Sequence, residues 1–322
     1  MDIETTIGRM LDGVMPESEA IAFLCELRDR GETASDITAA VEAVMARAVP
    51  FDAPAGAIDV CGTGGDGRHT FNISTAVAFV AAASGAVVVK HGNRAVSSRS
   101  GSSDVLAALG IPNDLPASFW EKVVAEMGIA FLHAPLFHPG LVRMAGIRKQ
   151  IGTRTIFNLL GPLCNPARVK RQVIGVYEAR LVPMIAEVLR AQGYAHAWVV
   201  HGEDGGDEIS ISGPTLIAEV KDGNIEEFSL APEDVGFERQ PPEALKGGDA
   251  EANAEAMRRI FAGEKNAYWD AVMLNTAAAL IVAGKAQSLP AAMEMAATSL
   301  HYHAAFNTLN ALTALIDEFT HV

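Results

Sequence analysis

The sequence contains few cysteines, few aromatic residues and no long hydrophobic run. Its 322 residues include three cysteines, Cys25, Cys61 and Cys164, which lie far apart and form no C-x-x-C pair. Neither a disulfide framework nor a zinc site is therefore expected. The longest apolar run, Ala76 to Val89, is shorter than the roughly 20 residues that a membrane-spanning helix needs, and the N-terminus lacks the pattern of a signal peptide. We expect a soluble cytoplasmic protein without a membrane partner.

Basic residues are also scarce, and they are unevenly distributed. The chain has 25 Lys and Arg against 39 Asp and Glu, a formal charge of −14, which disfavours nucleic acid or anionic lipid as a partner. Between Lys90 and Arg171, however, 11 bases face 4 acids, a local charge of +7, whereas the remainder has 14 bases and 35 acids, −21. This segment is suited to binding a small polyanion.

The pattern of apolar residues predicts an α/β fold. The strand patterns at residues 172–176 and 196–200 flank a helix pattern at 182–191, and such alternation is typical of a mostly parallel sheet covered by helices. Residues 1–50 and 249–319 have helical periodicity. Further strand patterns lie at residues 57–60, 86–89 and, weakly, 215–228, and further helix patterns at 74–83, 103–109 and 118–127.

Two residue pairs have the spacing of a helix capping box. Thr33 with Asp36, and Ser118 with Glu121, each precede an apolar helical pattern. Both pairs therefore predict a helix N-terminus.

A first glycine-rich segment, residues 62–67, connects a predicted strand to a helix. Its Gly-Thr-Gly-Gly-Asp-Gly sequence satisfies the dinucleotide fingerprint. The helix begins too late for that motif, and the next strand ends in Lys90-His91 instead of an acid, so NAD(P) binding is disfavoured. No Gly-Lys-Ser/Thr follows, which excludes a Walker A loop. A phosphate cradle and a purely structural turn remain open, and Ser74 and Thr75 either cap the next helix or face a phosphate or a metal.

A second segment, Lys90 to Ser102, follows the next strand and is rich in basic residues, Gly, Ser and Asn. Because parallel strands place their carboxyl ends at one edge of the sheet, both segments should face one crevice. A solvated basic loop is the alternative, but phosphate binding explains the composition better.

Acidic and basic groups occur in two further segments. His201 to Glu208 is a Gly-rich stretch with adjacent carboxylates, which suits Mg²⁺, although a solvated acidic turn is the alternative. Residues 147–158 form an amphipathic, basic pattern that we expect to continue as one helix to a stop at 160–166. Its arginines are either surface charge or a fork that holds a substrate carboxylate.

Together these motifs resemble the anthranilate phosphoribosyltransferase family, in the family's order and over essentially the whole chain. They are Gly62-Thr63-Gly64-Gly65-Asp66, Lys90-His91-Gly92-Asn93-Arg94, Gly101-Ser102-Ser103-Asp104-Val105-Leu106, Arg154-Thr155-Ile156-Phe157-Asn158 through Pro166, and Asp207-Glu208.

The resemblance implies a homodimer with a nucleoside phosphorylase-like, phosphoribosyltransferase-like architecture. It implies a small helical domain, residues 1–50 with about 139–166, and a larger α/β domain, residues 51–138 and 167–322, with the active site at the hinge. The implied reaction is Mg²⁺-dependent transfer of the 5-phosphoribosyl group from phosphoribosyl pyrophosphate to the amine of anthranilate, in tryptophan biosynthesis. Two Mg²⁺ ions and no general acid or base among the side chains are expected.

The resemblance also implies site residues. Those that match the family's phosphoribosyl pyrophosphate contacts are Gly62, Gly65, Asp66, Thr70, Asn72, Ile73, Ser74, Thr75, Lys90, His91, Gly92, Asn93, Arg94, Ala95, Val96, Ser97, Ser98 and Ser102. Those that match its anthranilate contacts are Gly62, Asn93 and Arg148, and those that match its metal ligands are Ser74, Asp207 and Glu208.

The chain departs from the family pattern at three places. Gly206 replaces a usual leucine, Gly140-Leu141-Val142 replaces Ala-Met-Lys, and His301 to Ala304 replaces a Ser-Gly-Lys-Ala-like stretch. None removes an expected ligand, although the second lies near the expected acceptor path. Two other functions are disfavoured. A nucleoside phosphorylase of related architecture lacks the Gly62-Thr63-Gly64-Gly65-Asp66 form of the glycine loop, and the presence together of Arg148, Asn93 and the acidic pair argues against a non-enzymatic phosphoribosyl or nucleic-acid binding module.

Overall fold

A computed structural model describes residues 2–94 and 99–321. Its centre is a single sheet of short strands that runs through the described part of the chain. In chain order the strands are β1 (Ile58–Gly62), β2 (Val88–Gly92), β3 (Ile129–His133), β4 (Arg171–Gly175), β5 (His196–Gly202), β6 (Thr215–Lys221) and β7 (Asn224–Leu230).

The spatial order of the strands is β3-β2-β1-β4-β5-β6-β7. The first five are parallel, and β6 and β7 add an antiparallel hairpin at one edge. Asp222 and Gly223 both have positive φ, 50° and 81°, which matches the tight turn that a two-residue hairpin requires. The predicted mostly parallel sheet with weak edge strands is confirmed.

Helices cover the sheet, as the sequence predicts. They are α1 (Ile3–Leu11), α2 (Glu17–Arg30), α3 (Ala34–Met45), α4 (Ile73–Ala83), α5 (Ser102–Ala108), α6 (Ala117–Met127), α7 (Ala134–Phe137), α8 (Pro139–Ile151), α9 (Phe157–Leu163), α10 (Leu181–Ala191), α11 (Ala250–Phe261), α12 (Ala267–Val282), α13 (Leu289–His301) and α14 (Ala304–Thr320). No helix among the described residues is both long enough and apolar enough to cross a membrane.

The apolar residues form two large clusters on opposite faces of the sheet. One cluster joins α4, α5, α6 and the C-terminal helices α11–α14. The other joins α1–α3, α9 and α10 to the opposite face of β4, β5 and β6. The N-terminal helices thus share a core with one face of the sheet, and the boundaries of a separate helical domain stay a prediction.

One of the two predicted capping boxes is present. Thr33 accepts a hydrogen bond from the Asp36 amide at 3.2 Å, and Asp36 accepts one from the Thr33 amide at 2.9 Å. The second prediction is wrong: α6 begins at Ala117, after Pro116, with no side-chain cap bond. The N-cap is Pro116, two residues before Ser118, so Ser118 lies inside the first turn instead of before it.

The prediction of one basic helix through residues 147–158 is also wrong. Gly152 ends α8 with a φ of 66°, a left-handed conformation that favours glycine, and its amide donates to the Arg148 carbonyl at 3.1 Å. A separate helix, α9, then begins at Phe157. The break places Arg148 and Arg154 on different elements.

Candidate active site at the strand ends

Three segments meet above the carboxyl ends of the parallel strands. The glycine loop (residues 62–67) leaves β1, the basic loop (described at residues 93–94 and 99–101) leaves β2, and the acidic loop (residues 203–208) leaves β5. Strand β4 lies between β1 and β5. The acidic loop must therefore cross the end of β4 to reach the glycine loop, and it does.

The crossing is made by Asp207. Its Oδ2 accepts a hydrogen bond from the Gly64 amide at 2.8 Å. A Cβ on Gly175, the last residue of β4, would lie 1.5 Å from the Asp207 carbonyl oxygen, and a Cβ on Gly62 would lie 2.2 Å from the carboxylate. Both strands must end in glycine because any side chain there would occupy the position of the acidic loop.

Glu208 contacts the second half of the site. Its Oε1 accepts from the Ser74 amide at 3.2 Å, at the first turn of α4, where the helix dipole favours a negative charge. The Lys90 ammonium is buried and donates to the Ser74 hydroxyl at 3.2 Å and to the Val60 carbonyl. The predicted metal ligands Ser74, Asp207 and Glu208 are thus brought together beside one buried cation.

The negative charge of the acidic pair, Asp207 and Glu208, is not fully balanced by positive charge nearby. Burial and the neighbouring charge of Asp207 raise the pKa of Glu208 to about 8, although Lys90 opposes the shift. Burial and the carboxylate of Asp66 also raise the pKa of Asp207. Raised pKa values in adjacent carboxylates indicate that a positive charge at this position would be favourable.

The donor set fits Mg²⁺. The carboxylates of Asp207 and Glu208 and the hydroxyl of Ser74 are hard oxygen ligands. No group of three or more His, Cys, Asp or Glu side chains in residues 2–94 and 99–321 is arranged to hold a metal by itself. Mg²⁺ is typically bound by one or two carboxylates and completes its coordination with water and substrate phosphates.

The two candidate arginines have different surroundings. Arg154 is occupied by the protein: it donates to the Gly65 carbonyl, stacks 3.9 Å from the centre of the Tyr177 ring and pairs with Glu178 at 3.3 Å. Arg148 is half-buried, its guanidinium makes no hydrogen bond or ion pair within the described residues, and burial lowers the pKa of that group. Of the two, Arg148 is free to pair with a ligand.

The start of α4 is fixed from two sides by Asn72. Its side chain donates to the Ser100 carbonyl of the basic loop at 3.3 Å and accepts from Asn253 at 2.9 Å, and its own carbonyl accepts from Tyr268 at 3.2 Å. The side chain of Ile73 lies in the core, so only its backbone faces the loops.

The basic loop is joined to α5 by backbone contacts. The Asn93 carbonyl accepts from the Ser102 hydroxyl and the Ser103 amide, both at 3.2 Å. A Cβ on Gly92 would lie 2.3 Å from the Ser102 hydroxyl. Asn93 and Arg94 are exposed. The predicted contacts Ala95, Val96, Ser97 and Ser98 lie outside the described residues.

His91 lies below this loop and is uncharged. Its Nδ1 is 3.2 Å from the Gly161 carbonyl, which requires that this nitrogen carry the proton. Burial and the nearby ring of His138 lower the pKa of His91 to about 3. His91 therefore contributes no positive charge to the site, whereas Lys90 does.

Under the loops lies a buried carboxylate that the sequence analysis missed. Asp59 accepts from the Asn165 amide at 2.9 Å and from the His91 backbone at 3.3 Å, and Gln172 lies beside it. Burial raises the pKa of Asp59, and the charge of Lys90 opposes that shift. The signal was available, because an Asp within the apolar run Ile58-Asp59-Val60 needs buried partners.

Known proteins are similar to this chain in sequence and in fold. The sequence model described as "Glycosyl transferase family, a/b domain" matches residues 55–306. An anthranilate phosphoribosyltransferase from Azorhizobium caulinodans is 48% identical, with 94% of this chain and 88% of that protein covered. One from Anaeromyxobacter dehalogenans is 50% identical, over 94% of this chain and 90% of that protein.

Solved structures of anthranilate phosphoribosyltransferases have the same fold as this chain. The anthranilate phosphoribosyltransferase of Thermus thermophilus has a TM-score of 0.93 at 39% identity, covering 98% of this chain and 94% of that chain. The Saccharomyces cerevisiae enzyme in complex with PRPP and Mg has a TM-score of 0.90 at 27% identity, covering 98% and 93%. The predicted fold class is confirmed.

The fold and the site define a glycosyltransferase with an α/β domain. Sequence identities near 50% over almost the entire chain then identify the family within this class of enzyme. The chain belongs to the anthranilate phosphoribosyltransferase family.

The crossing of the acidic loop gives a testable prediction. Gly175→Ala places a methyl group on the Asp207 carbonyl, so the loop must move, and we expect the free energy of unfolding to fall by about 2 kcal/mol or more. Gly146→Ala is the matched control, because nothing lies within 4 Å of its Cβ position in α8, and it should be neutral or stabilising by about 0.5–1 kcal/mol. Urea unfolding measures both. Equal stability of Gly175→Ala and the parent chain would contradict the crossing.

Proposed function

We propose that the chain transfers the 5-phosphoribosyl group from phosphoribosyl pyrophosphate to the amine of anthranilate, giving N-(5-phosphoribosyl)anthranilate and pyrophosphate. The observation that carries this proposal is the contact of the acidic pair with the glycine loop and Ser74, beside the buried charge of Lys90. A yeast relative was solved in complex with PRPP and Mg, and another structure of it with 4-fluoroanthranilate, which supports both substrates.

The pyrophosphate end of the donor would be held by the glycine loop and the start of α4. The loop has positive φ at Gly64, Gly65 and Gly67, so its amides can approach an anion closely. The proposed donor contacts are those expected from the motifs: Gly62, Gly65, Asp66, Thr70, residues 72–75, residues 90–98 and Ser102. Lys90 is buried beneath the loop, and its part would be to supply positive charge through Ser74.

Magnesium would be held by Asp207, Glu208 and Ser74. We propose two ions, one on the acidic pair and one on the Ser74 hydroxyl, each completed by substrate oxygens. When bound, Mg²⁺ supplies the positive charge that makes pyrophosphate a good leaving group. The raised pKa values of the two carboxylates support this assignment.

Anthranilate would be held by Arg148, Asn93 and Gly62. Arg148 is the half-buried arginine without a partner in the described residues, and its planar guanidinium matches a carboxylate in two parallel hydrogen bonds. Asn93, at the exposed end of β2, would fix the orientation of the ring.

The chemistry requires positioning more than proton transfer. The bond between the sugar carbon and pyrophosphate breaks, the amine nitrogen forms the new bond to that carbon, and the amine then releases a proton. An aryl amine is already neutral and nucleophilic, so no general base is needed before attack. We therefore assign the rate acceleration to the alignment of the two substrates and to stabilisation of the departing charge.

The assignment of Arg148 is testable by steady-state kinetics. Arg148→Ala should raise KM for anthranilate by about tenfold or more, because a charge-assisted pair with the carboxylate is lost, and should leave KM for phosphoribosyl pyrophosphate within about twofold. Lys149→Ala, a neighbouring exposed base on α8, is the control and should change neither constant. Equal changes in both constants of Arg148→Ala would contradict this role.

We also propose that the chain is a cytoplasmic homodimer with its helical part at the interface. Four large apolar side chains of this part are exposed: Val14, Val49, Leu136 and Val142, at 65%, 43%, 45% and 53%. The Val49 amide donates to Phe137, next to Leu136, and Arg143, next to Val142, donates to Asp12, so the chain brings Val49 near Leu136 and Val142 near Val14. A second copy of the chain would cover this surface.

Light scattering coupled to gel filtration tests the dimer. The chain should elute with about twice its mass of 33.9 kDa. Val142→Glu should shift the population towards the monomer, because a charge would be buried in the interface. Tyr302→Glu, which replaces another exposed large side chain, at the end of α13, should leave the mass unchanged. A monomeric parent chain would contradict the proposal.

A further inference from the structure

Helix α12 carries a side-chain amide at a buried position where its apolar pattern predicts a hydrocarbon side chain. Asn275 follows Met273 and Leu274, and its side chain is 3% exposed. A buried Asn has four hydrogen-bonding positions to satisfy and costs stability unless it does so. Its presence in the core of a helix therefore needs a reason.

The reason lies in the partners of the amide. The Asn275 Oδ1 accepts from the Ile209 amide at 2.9 Å, and its Nδ2 donates to the Ile209 carbonyl, also at 2.9 Å. The same Nδ2 donates to the Ala271 carbonyl one helical turn earlier, at 2.9 Å. One donor and two acceptors surround the side chain, so only one orientation of the amide satisfies all three.

Ile209 is the residue that needs such a partner. It directly follows Glu208, is 1% exposed and belongs to no strand or helix. Its amide and carbonyl have no backbone partner among the described residues. Buried peptide groups without partners are strongly disfavoured, so Asn275 supplies the hydrogen bonds that a neighbouring strand would otherwise give.

We propose that Asn275 is a positioning residue for the magnesium-binding carboxylates. By holding both backbone groups of Ile209, it fixes the rear end of the acidic loop one residue from Glu208 and two from Asp207. The carboxylates themselves accept hydrogen bonds from the Gly64 and Ser74 amides. Both carboxylates thus stand between these amides and the rear anchor at Ile209, and a shift of the rear anchor moves them directly. This inference rests on the proposed function of the acidic pair.

Two substitutions remove the rear anchor in different ways. Asn275→Asp keeps an oxygen for the Ile209 amide but turns a second oxygen towards two carbonyls that need a donor. Asn275→Ser shortens the side chain so that it cannot span both groups. Thr276→Val is the matched control, because Thr276 is equally buried on α12 and its hydroxyl has no hydrogen-bond partner in the described residues.

Binding of Mn²⁺, as a paramagnetic substitute for Mg²⁺, provides a measurement that does not depend on turnover. The free Mn²⁺ signal is titrated by electron paramagnetic resonance with phosphoribosyl pyrophosphate present and anthranilate absent. Both Asn275 variants should bind Mn²⁺ about tenfold or more weakly, as expected when a residue that orients metal ligands is lost. Thr276→Val should bind like the parent chain. Thermal unfolding of each variant shows that the measured protein is folded.

The outcomes separate this proposal from the function it rests on. Parent-like Mn²⁺ affinity in the folded Asn275 variants, with weakened affinity in Glu208→Gln, would overturn the positioning role alone. Parent-like affinity in Glu208→Gln as well would overturn the metal role of the acidic pair. Failure of both Asn275 variants to fold would assign Asn275 to stability and overturn the proposal.

Discussion

The hydrogen bond from the Gly64 amide to the Asp207 carboxylate joins two loops that are more than 140 residues apart in the chain. It exists because the acidic loop crosses the end of β4 at a distance that excludes any side chain on Gly175 or Gly62. This contact brings the carboxylates of the acidic loop, which follows β5, to the glycine loop, which follows β1. The parallel order of the strands makes the crossing possible, and the glycines at the strand ends make it close enough to form one site.

Charge balance explains the rest of the site. The charge of Asp207 raises the pKa of Glu208, that of Asp66 raises the pKa of Asp207, and the buried Lys90 beside them also opposes the raised pKa of Asp59. The site is therefore short of positive charge, as expected where a metal ion binds together with an anionic substrate. The acidic total of −14 belongs to the whole chain, whereas the basic segment from Lys90 to Arg171 contributes the basic loop, one of the three loops at the strand ends.

Local patterns predicted the elements and the motifs well, and long-range contacts poorly. Residue spacing predicted the strand before each loop and the helix capping box at Thr33. The direction of the parallel strands predicted that the loops share one crevice. The break at Gly152 was missed because the basic pattern continues past it. The roles of Asp59 and Asn275 depend on partners more than 50 residues away, so the sequence could mark them only as polar residues within apolar runs.

The most direct test of the account is the fluorescence of anthranilate mixed with the purified chain, phosphoribosyl pyrophosphate and Mg²⁺. Transfer of the phosphoribosyl group to the amine should cause a loss of anthranilate fluorescence that requires all three additions and stops when Mg²⁺ is chelated. Unchanged fluorescence with folded protein would contradict the central claim that these strand-end loops form an anthranilate phosphoribosyltransferase site.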